Sequence, residues 1–275
     1  MRRLRRGSLE AVASRLPRDY HWGMTPGSGS IRTAAARVTV FGVAMAYFES
    51  SVVVYLRAIA YPEGFTFPLS TIPRDIALTE IGREAASLIM IVSVACLAGS
   101  TRRRRFAFFL IIFGIWDIFY YVFLEVLLGW PSSLLTWDVL FLIPVIWSGP
   151  VLSPLLVSLV MLAAGWALIR RTPPGGGAKI MKPGQWRYFL CGAGIVFVSF
   201  IWDYTRFVAS NAGGRFFSAA WELSTEYTPG SFPWAVFFIG LFLAAGGVID
   251  IVLRDGHDGR GRTGVRTSRE LRTRD

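Results

Sequence analysis

The sequence predicts an all-α polytopic membrane bundle of six transmembrane helices arranged as three hairpins, with one further outer segment that is re-entrant or interfacial. Three observations predict it. Apolar residues make up 53% of the 275 positions and gather in long blocks rather than amphipathic stripes. Six blocks have about the 20 residues needed to cross ~30 Å of hydrocarbon. Of the 29 Lys and Arg residues, 24 fall in segments that six spans would leave on a single side, the bias that marks the cytoplasmic face.

In chain order, residues 1–37 form a basic cytoplasmic tail, in which Met24 offers an alternative start. No cleavable signal peptide is expected, because the first apolar run begins only near Val38, so span one acts as an uncleaved anchor. The spans are 38–61, 78–99, 106–129, 149–169, 188–209 and 233–253. The second carries Glu80, Arg83 and Glu84 near its start and turns strongly apolar from Ala85.

The stretch PSSLLTWDVLFLIPVIWS (131–148) has an apolar core too short to span and is broken by Pro144. A crossing there would also place Arg170 and Arg171 outside, against the charge bias. It is therefore expected on the outer side, and any part at depth must pack against the bundle or line a cavity. The loop 210–232 is aromatic and polar. An Arg/Gly-rich tail, 254–275, is expected to be disordered and cytoplasmic.

The net charge of +11 orients the chain and does not indicate a nucleic-acid partner, since neither tail has aromatic interleaving or a recognisable module. Only two of the 29 basic residues are lysine, a composition typical of a GC-rich bacterial genome. The expected location is thus the bacterial cytoplasmic (inner) membrane, multi-pass, with both termini in the cytoplasm. Cys96 and Cys191 lack a partner motif and are read as buried small apolar residues.

The functional signal is polar chemistry inside apolar sequence. Trp-Asp dipeptides occur at 116–117, 137–138 and 202–203. An ionised side chain near the bilayer centre costs about 2.5–3.5 kcal/mol even on mild insertion scales, so each intramembrane acid is a functional candidate. On span three, Asp117, Tyr121 and Glu125 recur at steps of four, with Tyr120 beside them, forming one stripe. Glu80, Arg83, Glu84 and Ser87 share a face of span two. Span five adds Ser199, Asp203 and Arg206, and span one adds Glu49, with Arg57 two turns higher.

Glu49, Asp117 and Asp203 lie on rising helices, roughly 16–22 Å from their cytoplasmic starts at 1.5 Å per residue, and are expected to converge. Asp138, on the outer segment, is expected near the mouth of their shared space. Acids outnumber arginines in this layer, so some must be protonated, hydrated, or bound to a cation or substrate ammonium. Trp130, Trp137, Trp147, Trp221 and Trp234 read as interfacial anchors, whereas Trp116 and Trp202 are expected to pack the bundle core. Asp250 is paired with Arg254 at the inner edge.

Several chemistries are excluded. His21 and His257, the only histidines, lie in the tails, which removes haem, His-based zinc and Ser-His sites. There is no Walker loop, no dinucleotide-binding glycine motif and no Gly-x-Gly-Asp element of aspartyl intramembrane proteases. No metal site is assigned, although Mg²⁺ or Ca²⁺ on carboxylates stays open.

The stretches EIGREAAS (80–87), WDIFYYVFLEVLLGWPSSLLTWDVLFLIP (116–144) and SFIWD (199–203) together resemble an uncharacterised family of bacterial multi-pass integral membrane proteins. The resemblance covers about two thirds of the chain, implies the same six-span design and transfers no activity.

The leading expectation is an acidic, outward-facing intramembrane cavity that binds or transports a cation, a proton or a small polar or lipid-headgroup ligand. Its residues are Glu49, Glu80, Arg83, Glu84, Asp117, Tyr120, Tyr121, Glu125, Asp138, Asp203 and Arg206. Two rivals stay open. One is a membrane enzyme using carboxylates, with or without Mg²⁺ or Ca²⁺, on a lipid-linked substrate. The other is a non-catalytic scaffold or assembly subunit in which every acid is matched and no cavity exists.

Overall fold

The computed structural model describes residues 28–143, 145–172 and 179–254. The tails beyond them, with His21, Met24 and His257, lie outside the described residues, as do Pro144 and the side chain of Arg254. Within them the chain is a helical membrane bundle: α1 (Ser28–Ala60), α2 (Arg74–Ala98), α3 (Arg102–Leu128), α4 (Leu152–Arg170), α5 (Pro183–Asn211), the short α6 (Phe216–Glu222) and α7 (Trp234–Arg254). All except α6 contain a stretch long and apolar enough to cross a membrane. Large apolar side chains such as Ile59, Leu97, Val126 and Phe242 point outward from the bundle, the surface a lipid-bathed protein needs and a soluble one avoids.

Helix ends follow local chemistry. The Thr101 hydroxyl accepts the Arg104 N–H at 3.2 Å, satisfying one of the orphan donors that open α3. Gly129 closes α3 at φ 63°, a left-handed cap that glycine adopts without a Cβ penalty. Pro183 opens α5, where its missing N–H costs nothing.

The spans pair as α3 with α4 and α5 with α7, and α4 joins the two pairs by packing on α7; α2 lies against α3. Two of these seams are set by glycine. A Cβ on Gly192 would sit 2.7 Å from both Ala244 N and Gly240 O, so α5 and α7 touch backbone to backbone. A Cβ on Gly165 would stand 2.6 Å from Ile111 Cγ1 and 2.8 Å from Ala107 O, which closes α4 on α3. Where lipid offers no hydrophobic drive between helices, close approach of this kind supplies the packing energy.

The segment after α3 departs from expectation in its secondary structure. Strands β1 (Trp137–Phe141) and β2 (Trp147–Pro150) form an antiparallel hairpin, pairing Trp137 with Pro150 and Asp138 with Gly149, with an irregularity between Val139 and Phe141. A strand pair satisfies its own backbone groups, which lets a segment too short to span sit among helices. It packs against α5 through Trp147, whose ring meets Phe197 and Phe200.

At the opposite end of the bundle, the Arg102–Arg105 run does more than carry charge. Arg103 is buried and donates to Leu168 O, Lys179 O and Ile180 O at 3.2–3.3 Å. It thereby caps the C-terminal turn of α4.

Other side chains correct the sequence reading. Cys96 and Cys191 are exposed, because each lies on an outward face where a small, weakly polar thiol meets no cost. Trp202 is 45% exposed; α5 turns Tyr204 and Val208 inward instead. Trp130 lies against Arg57, and Trp147 packs on Phe197.

Candidate functional site

On α1, Glu49, Val53 and Arg57 follow one another at steps of four and therefore share a face. That face meets the start of α2 and the middle of α3. Glu49 is 2% exposed. One of its oxygens pairs with the Arg83 guanidinium and the other accepts the Ser87 hydroxyl. Arg83 also reaches Glu80 at 2.8 Å. The i, i+3, i+4 and i+7 spacing on α2 thus works as expected: Arg83 bridges two acids, and Ser87 fixes one of them.

Two turns up α1, Arg57 lies 3.5 Å from Asp138 of β1. Its guanidinium lies 4.5 Å from the Phe65 ring centre and 3.8 Å from that of Trp130, two rings that meet edge to face beside it. The Tyr121 hydroxyl donates to the second Asp138 oxygen at 3.1 Å. Asp138, expected near the mouth, is 3% exposed and lines the larger of two chambers. Burial pushes its carboxyl up to about 6, while Arg57, the Tyr121 hydroxyl and the Val139 N–H pull the other way.

Glu84 and Asp117 make no salt bridge among the described residues. Glu84, 8% exposed, accepts the Leu142 N–H at 3.0 Å. Asp117 accepts the Ser158 hydroxyl of α4 at 2.8 Å. The Tyr120 ring stands edge-on to Tyr121, and its hydroxyl makes no hydrogen bond among the described residues.

These groups surround two chambers. The larger, about 420 Å³, lies between α1, α2, the β-hairpin and the segment around 221–225, with exposed Thr71, Trp221 and Glu222 at its rim. The smaller, about 70 Å³, is lined by Glu49, Ser87, Trp116 and Asp117. Arg83, Glu84, Tyr120 and Val139 border both and form the wall between them. The indole N–H of Trp116, on the smaller chamber, is buried without a hydrogen-bond partner. Together the linings hold six carboxylates (Glu49, Glu80, Glu84, Asp117, Asp138 and Glu222) and two guanidiniums (Arg57 and Arg83). No three His, Cys, Asp or Glu side chains converge at metal-binding distance among the described residues.

Three residues expected at this site lie elsewhere. Glu125 and Arg206 are exposed and border neither chamber. Asp203 accepts the Tyr227 hydroxyl at 2.8 Å and the Gly230 N–H at 2.9 Å, so it ties down the loop before α7. Tyr227 shares its hydroxyl with Ser148 of β2 at 2.8 Å. Burial, together with the neighbouring Asp203, raises the Tyr227 phenol well above its ordinary value. Glu49 and Asp117 meet in the smaller chamber, and Asp203 does not join them.

Sequence reasoning overlooked Ser158, Trp130, Phe65 and the Leu142 amide. Ser158 left a faint trace as a hydroxyl in otherwise apolar sequence. The aromatic partners of Arg57 left none, since nothing local marks a ring as the cover of a distant cation.

No protein-family profile, curated protein or solved structure matches this chain.

Proposed function

We propose that the chain is a bacterial inner-membrane protein, both termini cytoplasmic, that binds a small ligand in an acidic cavity open to the outer side. The basic tails 1–37 and 254–275 flank the membrane domain 38–253 and fix its orientation. The observation that carries this reading is the larger chamber. Its volume of about 420 Å³ falls in the range of small-molecule sites, roughly 300–1,000 Å³, which combine apolar walls with a few convergent polar groups. Its charge balance, with acids in excess, gives the cavity a sign. The positive-inside bias supports the outward direction, because the Arg102–Arg105 run lies at the end of α3 remote from the chamber.

A scaffold would match every acid and leave no cavity, and both features weigh against that role. The second chamber, in series behind the wall of Arg83, Glu84, Tyr120 and Val139, favours a carrier as the alternative. Beyond it, the close contacts of Gly114 with Ser158 O and of Gly165 with Ala107 O seal α3 on α4, and a carrier would have to part that seam.

The test uses Thr71→Cys at the rim, in a chain with Cys96 and Cys191 replaced by Ala. In intact cells, a membrane-impermeant methanethiosulfonate bearing a trimethylammonium group should react, and react faster than its sulfonate analogue. Reaction only after permeabilisation, or a faster anionic reagent, overturns the reading.

A further inference from the structure

Both guanidiniums in the larger chamber already hold carboxylates. Arg57 lies against the Phe65 and Trp130 rings and pairs with Asp138, and Arg83 pairs with Glu49 and Glu80. The chamber's two cationic groups are therefore already matched to carboxylates of the protein. What it offers is acceptors. Glu84 is more than nine-tenths buried, its one hydrogen bond among the described residues, from the Leu142 N–H, engages only Oε2, and the nearby Arg83 makes no ion pair with it. A buried carboxylate with one neutral donor is poorly compensated, and a cation is the natural complement. Tyr120, whose hydroxyl makes no hydrogen bond among the described residues, lines both chambers with it.

The rest of the lining limits which cation fits. A hard metal ion needs several oxygen ligands. No three His, Cys, Asp or Glu side chains converge at metal-binding distance among the described residues, and Val53, Leu56, Ile72, Leu142 and Ile146 give the chamber apolar walls. A quaternary ammonium has no N–H to donate to the Glu84 carboxylate or the Tyr120 hydroxyl. A primary ammonium has three N–H donors to place on Glu84 and Tyr120, and the apolar walls accept an apolar body.

We propose that the larger chamber binds a primary ammonium ion carrying a compact apolar group, its nitrogen on Glu84 and Tyr120 and its apolar body against Val53, Leu56, Leu142 and Ile146. The proposal rests on reading this chamber as a ligand site.

Four probes with one phenyl body separate the two ideas: 2-phenylethylammonium, its N,N,N-trimethyl derivative, 2-phenylethanol and 3-phenylpropionate. Each is titrated calorimetrically into the full chain in lipid nanodiscs, with empty nanodiscs subtracted. The expected result is saturable binding of the primary ammonium at least tenfold tighter than the alcohol or the trimethyl derivative, and none of the carboxylate. Glu84→Gln should weaken it tenfold or more, and Glu125→Gln should leave it unchanged. Ile72→Trp, which fills the chamber without touching its charges, should abolish binding and serves if Glu84→Gln does not fold. Equal binding of the alcohol, or full affinity in the Gln variant, overturns the ammonium assignment and leaves the cavity reading standing. No binding of any probe overturns both.

Discussion

Arg57 on α1 and Asp138 on β1 meet at 3.5 Å across 81 residues of sequence, and both are buried. This pair fastens the hairpin to the first helix at the edge of the larger chamber. Its neighbours define its energetics: two rings lie against the cation, and Tyr121 donates to the anion. Removing one partner of a buried pair strands the other, at a cost of about 3–5 kcal/mol, whereas replacing both with apolar groups is often nearly neutral. Arg57→Met is therefore expected to lower unfolding stability by about that amount, and Arg57→Met with Asp138→Leu to recover most of it. Thermal unfolding in detergent measures both. A double variant as unstable as the sum of the two singles would show that the residues do not act as a pair.

The same carboxylate gives the hairpin a pH dependence. Its folded value, about 6, exceeds the ordinary 3.8 because burial penalises the charged form. Arg57 on α1 and Asp117, Tyr120 and Tyr121 on α3 face it. Between those two pH values the folded state binds more protons than the unfolded one. The stability Asp138 contributes is then complete below pH 3.8 and is lost as pH rises through about 6. The Tm of the wild type, taken relative to Asp138→Asn at each pH, should fall from pH 4.5 to pH 7. A difference that stays flat, or rises, contradicts the assignment.

How much of this was legible in the sequence depended on the range of the interaction. The spans could be read because a run of apolar residues is a local property, and helices Arg74–Ala98 and Arg102–Leu128 lie within a few residues of the expected 78–99 and 106–129. The polar face of α2 could be read for the same reason: Glu80, Arg83, Glu84 and Ser87 are set by helical periodicity alone. The β-hairpin was not, because WDVLF (137–141) and WSGP (147–150) are short and apolar in either conformation, and only their pairing distinguishes strand from helix. Asp203 misled for a related reason. It repeats the Trp-Asp pattern of 116–117, yet its environment is set by Tyr227 and Gly230, some 25 residues away. Arg103 looked like one of four equivalent arginines and is the one the fold buries, a choice made by the α4 terminus it faces.

The α5–α7 seam predicts opposite outcomes at two nearby glycines. Gly192 has no room for a methyl group, since backbone atoms of Ala244 and Gly240 stand 2.7 Å from the position its Cβ would take. Gly194, on the same helix, has nothing within 4 Å. Gly192→Ala should force the helices apart and cost about 1–3 kcal/mol, the usual range for overpacking. Gly194→Ala should be neutral or stabilise by up to ~1 kcal/mol through helix propensity. Thermal unfolding of the two variants side by side decides the matter, and equal shifts would argue against a backbone contact at 192.

Asp203 separates fold from function. Its carboxylate receives the Tyr227 hydroxyl and the Gly230 N–H, and Tyr227 in turn binds Ser148 on β2, so Asp203 links α5, the loop before α7 and the hairpin. Hydrogen bonds to a charged group contribute about 1.5–3 kcal/mol each. Asp203→Ala is accordingly expected to destabilise by about 2–3 kcal/mol and to speed amide hydrogen exchange at Gly230 and Ser231. It borders neither chamber, so affinity for 2-phenylethylammonium should stay within twofold of the wild type under conditions where the variant is folded. Tyr227→Phe keeps the ring against Phe67 and Tyr204 and removes only the hydroxyl, and it should reproduce both effects in weaker form. If Asp203→Ala instead lost affinity to the same degree as Glu84→Gln, without faster exchange in the loop, Asp203 would belong to the ligand site and the chamber's boundary would have to be redrawn around α5.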